Sequence, residues 1–553
     1  MKVRTEVSSA KLRGGFYSPE GLVDLCVERV LALNGRPGPL NILEPSAGEG
    51  AFLRGIKRSA LANRIQSITA IELVAEDVEK SRRTLEETGL AGTVAHGSFI
   101  RWLLSSGVGQ TFDAAVGNPP FLRYQFVEDQ DAQDVFALAA QLGWPFAGVS
   151  NLWIPVLIGA LDRLRVGGAF AFIIPTEFLT GISAGAARLW LTARTDDLSV
   201  DLFPPGSFPD VLQEVLILSG VRRQTDRLGG AAVTFREHCG SRCREWIHAI
   251  PHDTDPWTRY LLSPDLLRSI TEVAQLPAIT RLAAIARFQV AAVTGANEYF
   301  SVARSTVDQF DLHDWAVPLL PRLRHSTGLR YTASDHVLTL NSDARSYLLD
   351  FSAAKPDPTL LARPRKYLDI GENLGIPNRY KCRIRRPWFR VPHIHVAPLM
   401  LSKRSHRFPR MIVNEAGVVT TDTVYRGTLL PKFAGRKADL VAAFHNSVSL
   451  LSVEMEGRTF GGGVLELVPT EIGRIQVPFL TKFGQHLDTL DKLARSSGDG
   501  DAGGEHLVEA TDSLLLKADV GISPALISAI RQARETLMGR RIERNSPAQA
   551  VTG

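Results

Sequence analysis

Between residues 40 and 220, short apolar runs alternate with stretches of helical periodicity. Residues 41–44, 67–72, 93–96, 112–116 and 169–174 are short, apolar and bounded by turn formers, so they read as strands. Residues 75–88 and 152–164 repeat their apolar positions at helical spacing. Strands that alternate with helices predict an α/β fold, a mostly parallel sheet covered by helices on both faces. Beyond residue 225 the alternation fades into Pro, Gly and short β-branched runs, so a second, mixed α/β domain is expected there. Residues 496–504 (Ser-Ser-Gly-Asp-Gly-Asp-Ala-Gly-Gly) read as a flexible linker, and residues 505–544 as two amphipathic helices.

Composition narrows the class. The chain has 553 residues, 44% hydrophobic and 22% charged, enough for more than one buried core and far from a disordered composition. Four cysteines exclude a disulfide scaffold and fit a reducing cytoplasm. No apolar run reaches the roughly 18 residues that a membrane span needs, and residues 1–6 lack a signal-peptide stretch, so no membrane partner is expected.

The net charge of +5 is unevenly spread. Residues 1–225 carry 21 basic and 24 acidic side chains; the remainder carries 42 and 34. Residues 363–410 hold 13 basic residues against Asp369 and Glu372 alone, with Tyr367, Tyr380, Trp388, Phe389 and Phe408 among them. Such a segment suits a phosphate backbone, because each cation that meets a phosphate releases condensed counterions. Its candidate contacts are Arg379, Lys381, Arg383, Arg385, Arg386, Trp388, Arg390, Lys403 and Arg404.

Two local motifs carry chemistry. Leu43-Glu44-Pro45-Ser46-Ala47-Gly48-Glu49-Gly50 follows the first strand and opens a helix, and Gly48 and Gly50 permit close backbone approach by a nucleoside-type cofactor. The spacing fits neither a dinucleotide fingerprint nor a phosphate-cradling loop. Glu72 ends the second strand, where a carboxylate accepts from both ribose hydroxyls. The fourth strand ends in Asn118-Pro119-Pro120-Phe121. Two prolines fix the backbone and remove donors, so the Asn118 side-chain oxygen and the Pro119 carbonyl both accept from one NH2 group. Phe121 offers a face to a planar ring.

The ordered set resembles the S-adenosylmethionine-dependent adenine-N6 DNA methyltransferases of the gamma type (TaqI-like, XhoI/PaeR7I-like modification methylases). The resemblance covers residues 1–225 and implies a class I methyltransferase-like (Rossmann-like) fold. Gly15 to Glu20, with Tyr17, Ser18 and Pro19, looks like the segment that touches the methionine end of the cofactor. Glu44, Pro45, Ala47, Gly48 and Gly50 resemble the cofactor loop, Glu72 the ribose carboxylate, and Asn118 to Phe121 the catalytic tetrapeptide, with Asn118 also near the cofactor. Phe208-Pro209 lies where such enzymes place an aromatic against a flipped adenine, opposite Phe121. The family usually has Asp after the third strand; here His96-Gly97-Ser98-Phe99 stands instead, so Ser98 accepts without charge and Phe99 remains for stacking. The implied domains are 1–225 for cofactor and catalysis, 226–495 for DNA target recognition, 496–504 as linker and 505–544 as C-terminal helices.

The resemblance implies double-stranded DNA as partner, a cytoplasmic, nucleoid-associated location, and a restriction endonuclease or other defence-system subunit as a further partner on a separate chain. Val293 to Phe300, and Gly457 to Gly463, resemble turns of target-recognition regions and serve as fold markers. Cys239 and Cys243 beside His238 lack a second ligand pair, so no metal is expected. His393 and His395 fall on one face of an expected strand and read as DNA-facing. Three alternatives stay open at this level: an RNA adenine-N6 methyltransferase, a glutamine-N5 protein methyltransferase, and a non-catalytic DNA-binding subunit.

Overall fold

Leu40–Glu44 (β1) runs parallel to Ile65–Glu72 (β2) on one side and Phe112–Gly117 (β4) on the other. Gly92–His96 (β3) pairs with β2, and Leu164–Pro175 (β5) with β4, both in parallel. The sheet goes on through Thr195–Leu202 (β6), Val215–Arg222 (β7), Ala231–Cys239 (β8) and Arg242–Ile250 (β9), in the order β3-β2-β1-β4-β5-β7-β6-β8-β9. Strand β7 is antiparallel to both β5 and β6. In this computed structural model the described residues are 18–122, 129–144, 151–204, 214–240, 242–342, 344–460, 463–497 and 501–543.

The helices form where the periodicity places them. Glu20–Leu33 (α1) buries Leu22, Val23, Cys26, Val27 and Val30, a stripe spaced by three and four, and packs on β4, β5 and β7. Ala51–Arg58 (α2) follows β1, and Ala75–Thr88 (α3) joins β2 to β3. Phe99–Leu104 (α4) follows β3, and Trp153–Asp162 (α5), with its first nine residues buried, precedes β5. Central strands β4 and β5 are apolar almost throughout because helices cover both of their faces.

The chain divides into two compact units at Pro264 and Asp265 rather than at residue 225. Strand β8 pairs in parallel with β6, and β9 closes the edge. Ala231, Val233 and Phe235 are buried while the positions between them are not, the pattern of a strand with one wet face. The loss of helix–strand alternation after residue 225 therefore marks edge strands of the same sheet.

The second unit, by itself, centres on a five-stranded sheet of Ala286–Val290 (β10), Arg330–Tyr331 (β11), Leu399–Ser402 (β12), Met411–Asn414 (β13) and Val424–Leu429 (β14). Their order is β10-β14-β12-β13-β11. Lys437–Phe444 (α6) and Ser447–Glu456 (α7) are buried along nearly their whole length against one core. A separate aromatic core gathers Tyr299, Phe300, Trp315, Phe351, Tyr367 and Phe389. The helix Asp501–Thr511 (α8) begins inside the segment expected to be a linker, because Leu507 and Val508 join the main core. Pro524–Glu543 (α9) packs on α7. Residues 391–396 form no strand, and His393 has φ of +61°, so His393 and His395 share no strand face. No described helix is long and apolar enough to cross a membrane.

Candidate active site

In a sheet whose order reverses between β1 and β4, the carboxyl ends of those two strands flank a crevice, which is where α/β sheets take ligands. Both motifs lie there. The Ser46 hydroxyl donates to the Asn118 carbonyl at 2.9 Å, fastening the loop after β1 to the tetrapeptide after β4. Gly117 makes this approach possible, since a Cβ there would lie 3.2 Å from both the Phe172 ring and Pro45. Asn118 Nδ2 donates to the Ser18 hydroxyl at 3.0 Å, so the segment before α1 reaches the same point. Asn118 is half-buried, Pro119 buried and Phe121 8% exposed.

The glycine loop is held from several sides. Gly50 has φ of +83°, and a Cβ there would come within 2.9 Å of Thr84, so α3 lies directly on the loop. The Ser81 hydroxyl donates to the Gly48 carbonyl at 2.6 Å. One oxygen of Glu72 accepts from Gly48 N at 2.8 Å, and the other accepts from Val74 N at 2.8 Å. Each oxygen keeps lone pairs for a second donor. Ser98 follows Gly97, whose N–H donates to the Glu72 carbonyl at 2.8 Å, and its hydroxyl makes no cap bond to α4.

Glu44 is the outlier. It is fully buried, and neither carboxylate oxygen has a hydrogen-bond partner among the described residues. Burial, and then the charge of Glu72, push its pKa well above the usual carboxylate range. An orphaned acid at the glycine loop, close enough to Glu72 to feel its charge, fits a cofactor that brings a cationic donor, such as an amino-acid ammonium group. The residues present therefore fit S-adenosylmethionine.

Phe99 opens α4 just after β3. It is 5% exposed and stacks on Trp102 with centroids 5.9 Å apart, within the helix layer. Tyr17, Phe208 and Pro209 lie outside the described residues. The motif reading gives Ser46 and Ser81 no role, although Ser81 sits with Val78 and Thr84 on the buried face of α3, where a polar residue needs a partner.

In the second unit the basic segment is fixed by its buried side. Arg385 donates to the carbonyls of Thr294 (2.7 Å) and Val293 (2.5 Å), and Cys382 Sγ reaches the Thr294 carbonyl at 3.7 Å. Burial lowers the Arg385 pKa. Arg379 pairs with Glu298, and the Trp388 ring packs at 5.7 Å from Tyr299. The turn from Val293 to Phe300 is thus the seat of the basic segment. The outward side presents Tyr380 (65% exposed), Ile384 (62%), Lys381, Arg383, Arg386 and Arg390. Lys403 and Arg404 both approach Glu466, at 3.8 and 3.2 Å. Cys239 and Cys243 face opposite sides of the β8–β9 hairpin, since Cys239 pairs with Arg242 and Cys243 with His238.

Residues 254–516 match the domain family described as type II methyltransferase M.Eco57I, C-terminal domain. The chain is 21% identical over 449 residues to the type II methyltransferase M.AccI of Acinetobacter calcoaceticus, covering 78% of this chain and 80% of that protein. This chain is similar to type II methyltransferases. A second such relative, M.BanIII of Aneurinibacillus aneurinilyticus, is 25% identical over 209 residues, 34% of this chain and 35% of that protein. A solved structure of the type IIL restriction-modification enzyme MmeI in complex with DNA aligns over 94% of this chain and 75% of that one, at 14% identity and a TM-score of 0.46.

Proposed function

We propose that the chain is a site-specific DNA methyltransferase that methylates N6 of an adenine flipped out of duplex DNA, acting in a restriction–modification or similar defence system. The observation that carries this reading is the fastening of Asn118-Pro119-Pro120-Phe121 to the glycine loop through Ser46 and to Ser18. S-adenosylmethionine, when bound, supplies an electrophilic methyl group on a sulfonium sulfur. Glu72 would hold its ribose, and Glu44 its ammonium group.

The chain's own residues then act on the base. Ser18 occupies the nitrogen side of the Asn118 carboxamide, so Oδ1 is turned to accept. Asn118 Oδ1 and the Pro119 carbonyl accept the two N6 hydrogens, drawing the nitrogen lone pair out of conjugation with the ring. N6, held by Asn118 and Pro119, accepts the methyl group that the bound cofactor would supply, in exchange for one proton released to solvent. Phe121 supports one face of the adenine, and Phe208 is assigned the other. Positioning and polarisation supply the rate, with base flipping costing a few kcal/mol that contacts to the duplex offset.

The test is labelled methyl incorporation into duplex DNA, RNA and protein side by side, with wild type and Asn118→Ala. Label in adenine of duplex DNA with wild type, and none with the variant, is expected. Label in RNA or protein alone, or undiminished transfer by the variant, would refute the reading.

A further inference from the structure

A cavity of about 920 Å³ opens in the second unit between residues 322–327 and 402–410. Its lining includes Arg322, Arg324, Lys403, His406 and Arg407, and among the described residues Asp422 is its one carboxylate. Its buried lining includes Leu450, Val508 and His445. Arg322 and Arg324 are exposed and form no ion pair among the described residues. Asp422 accepts from Asn297 Nδ2 at 2.9 Å, and one carboxylate cannot offset the several cations that line the cavity.

The two walls are fastened to each other. Arg410 donates to the carbonyls of Ser326 (2.5 Å) and Gly328, and its own N–H donates to Ser402 Oγ at 3.0 Å. Asp491 accepts from Leu329 N at 2.6 Å and Arg330 N at 2.9 Å, and Arg495 holds Asp491 at 2.8 Å. The cations therefore project from a fixed frame, and holding them apart in advance lowers the ordering cost of an anion that binds. Arg322 and Arg324 are exposed to solvent where they line the cavity. That placement suits phosphates presented by a long chain that runs past the opening.

We propose that this cavity seats backbone phosphates of the nucleic acid on which the transferase acts, with Arg322 and Arg324 as point contacts. The inference rests on the reading given under Proposed function. It adds a phosphate site some 40 residues before the basic segment, on side chains to which the sequence draws no attention.

The experiment measures duplex oligonucleotide binding against salt for the full-length wild type, Arg322→Ala/Arg324→Ala and Arg322→Lys/Arg324→Lys. The alanine pair should lose about tenfold in affinity near 0.1 M salt and lower the log–log salt slope by about two, whereas the lysine pair should keep the slope. Both sites are exposed, so melting temperature should hold in each variant. An unchanged slope in the alanine pair overturns the inference while leaving the methyltransferase reading intact. Failure of wild type to bind any duplex overturns both. A free mononucleotide or pyrophosphate that binds wild type and is lost in the alanine pair, with duplex binding retained, also overturns it, because the phosphate source would then be a small molecule.

Discussion

Asn118 donates its side-chain amide to the hydroxyl of Ser18 at 3.0 Å, linking the end of β4 to the residue two positions before α1. The bond fixes the carboxamide by its nitrogen, so the oxygen faces the crevice. Ser18→Ala removes one neutral hydrogen bond, worth about 1 kcal/mol. Single-turnover methyl transfer should slow by roughly fivefold. A rate equal to wild type would show that Ser18 does not position Asn118.

The Glu44 carboxyl gives the cofactor-free protein a pH signature. The folded state holds this proton more tightly than the unfolded chain does, because burial and Glu72 oppose its ionisation. Stability therefore falls as pH rises above the ordinary glutamate range, by up to about 1.4 kcal/mol per pH unit until the raised pKa is passed. Glu44→Gln should remove that slope and weaken S-adenosylmethionine binding. Urea midpoints between pH 5 and 8 check the first effect and calorimetry the second; parallel slopes would place the ionisation elsewhere.

The arginines of the basic segment divide into two groups that respond differently. Lys381→Ala/Arg383→Ala should weaken duplex binding and lower its salt slope by about two, with melting temperature unchanged. Arg385→Ala should instead lower stability, since it frees the carbonyls of Val293 and Thr294. Salt titrations and melting curves on both variants separate these roles.

In the second unit, Arg541 and Glu454 form a buried bidentate pair at 2.6 and 2.8 Å that fastens α9 to α7. Their side chains are 4% and 3% exposed. Arg541→Met leaves a buried carboxylate unpaired and should cost about 3–5 kcal/mol. Arg541→Met with Glu454→Gln should recover much of that loss. Denaturant unfolding of the two variants gives the comparison; equal losses would show that the charge of Glu454 is not what destabilises.

In the first unit, the local elements were legible in the chain and their ends approximately so. Helix α3 spans the 75–88 stretch that its periodicity predicts, and strands β1 to β5 extend those predicted by at most five residues at either end. Because short apolar strands joined by helices form a parallel sheet, motifs that follow β1, β2 and β4 must emerge at one edge. Glu44, Glu72 and Asn118 were legible for that reason. Only the tertiary structure decided what depends on partners distant in the chain. Membership of β8 and β9 in the first sheet is a matter of backbone pairing, which an edge strand's own sequence does not announce. Ser18, Ser46 and Ser81 matter through what their hydroxyls reach, 100, 72 and 33 residues away along the chain. Charge counting could find the run of arginines between 363 and 410, but a side chain's charge is the same whether it holds a carbonyl or faces water. Burial separates Arg385 from Lys381, and the fold alone brings Arg322 and Lys403 to one cavity.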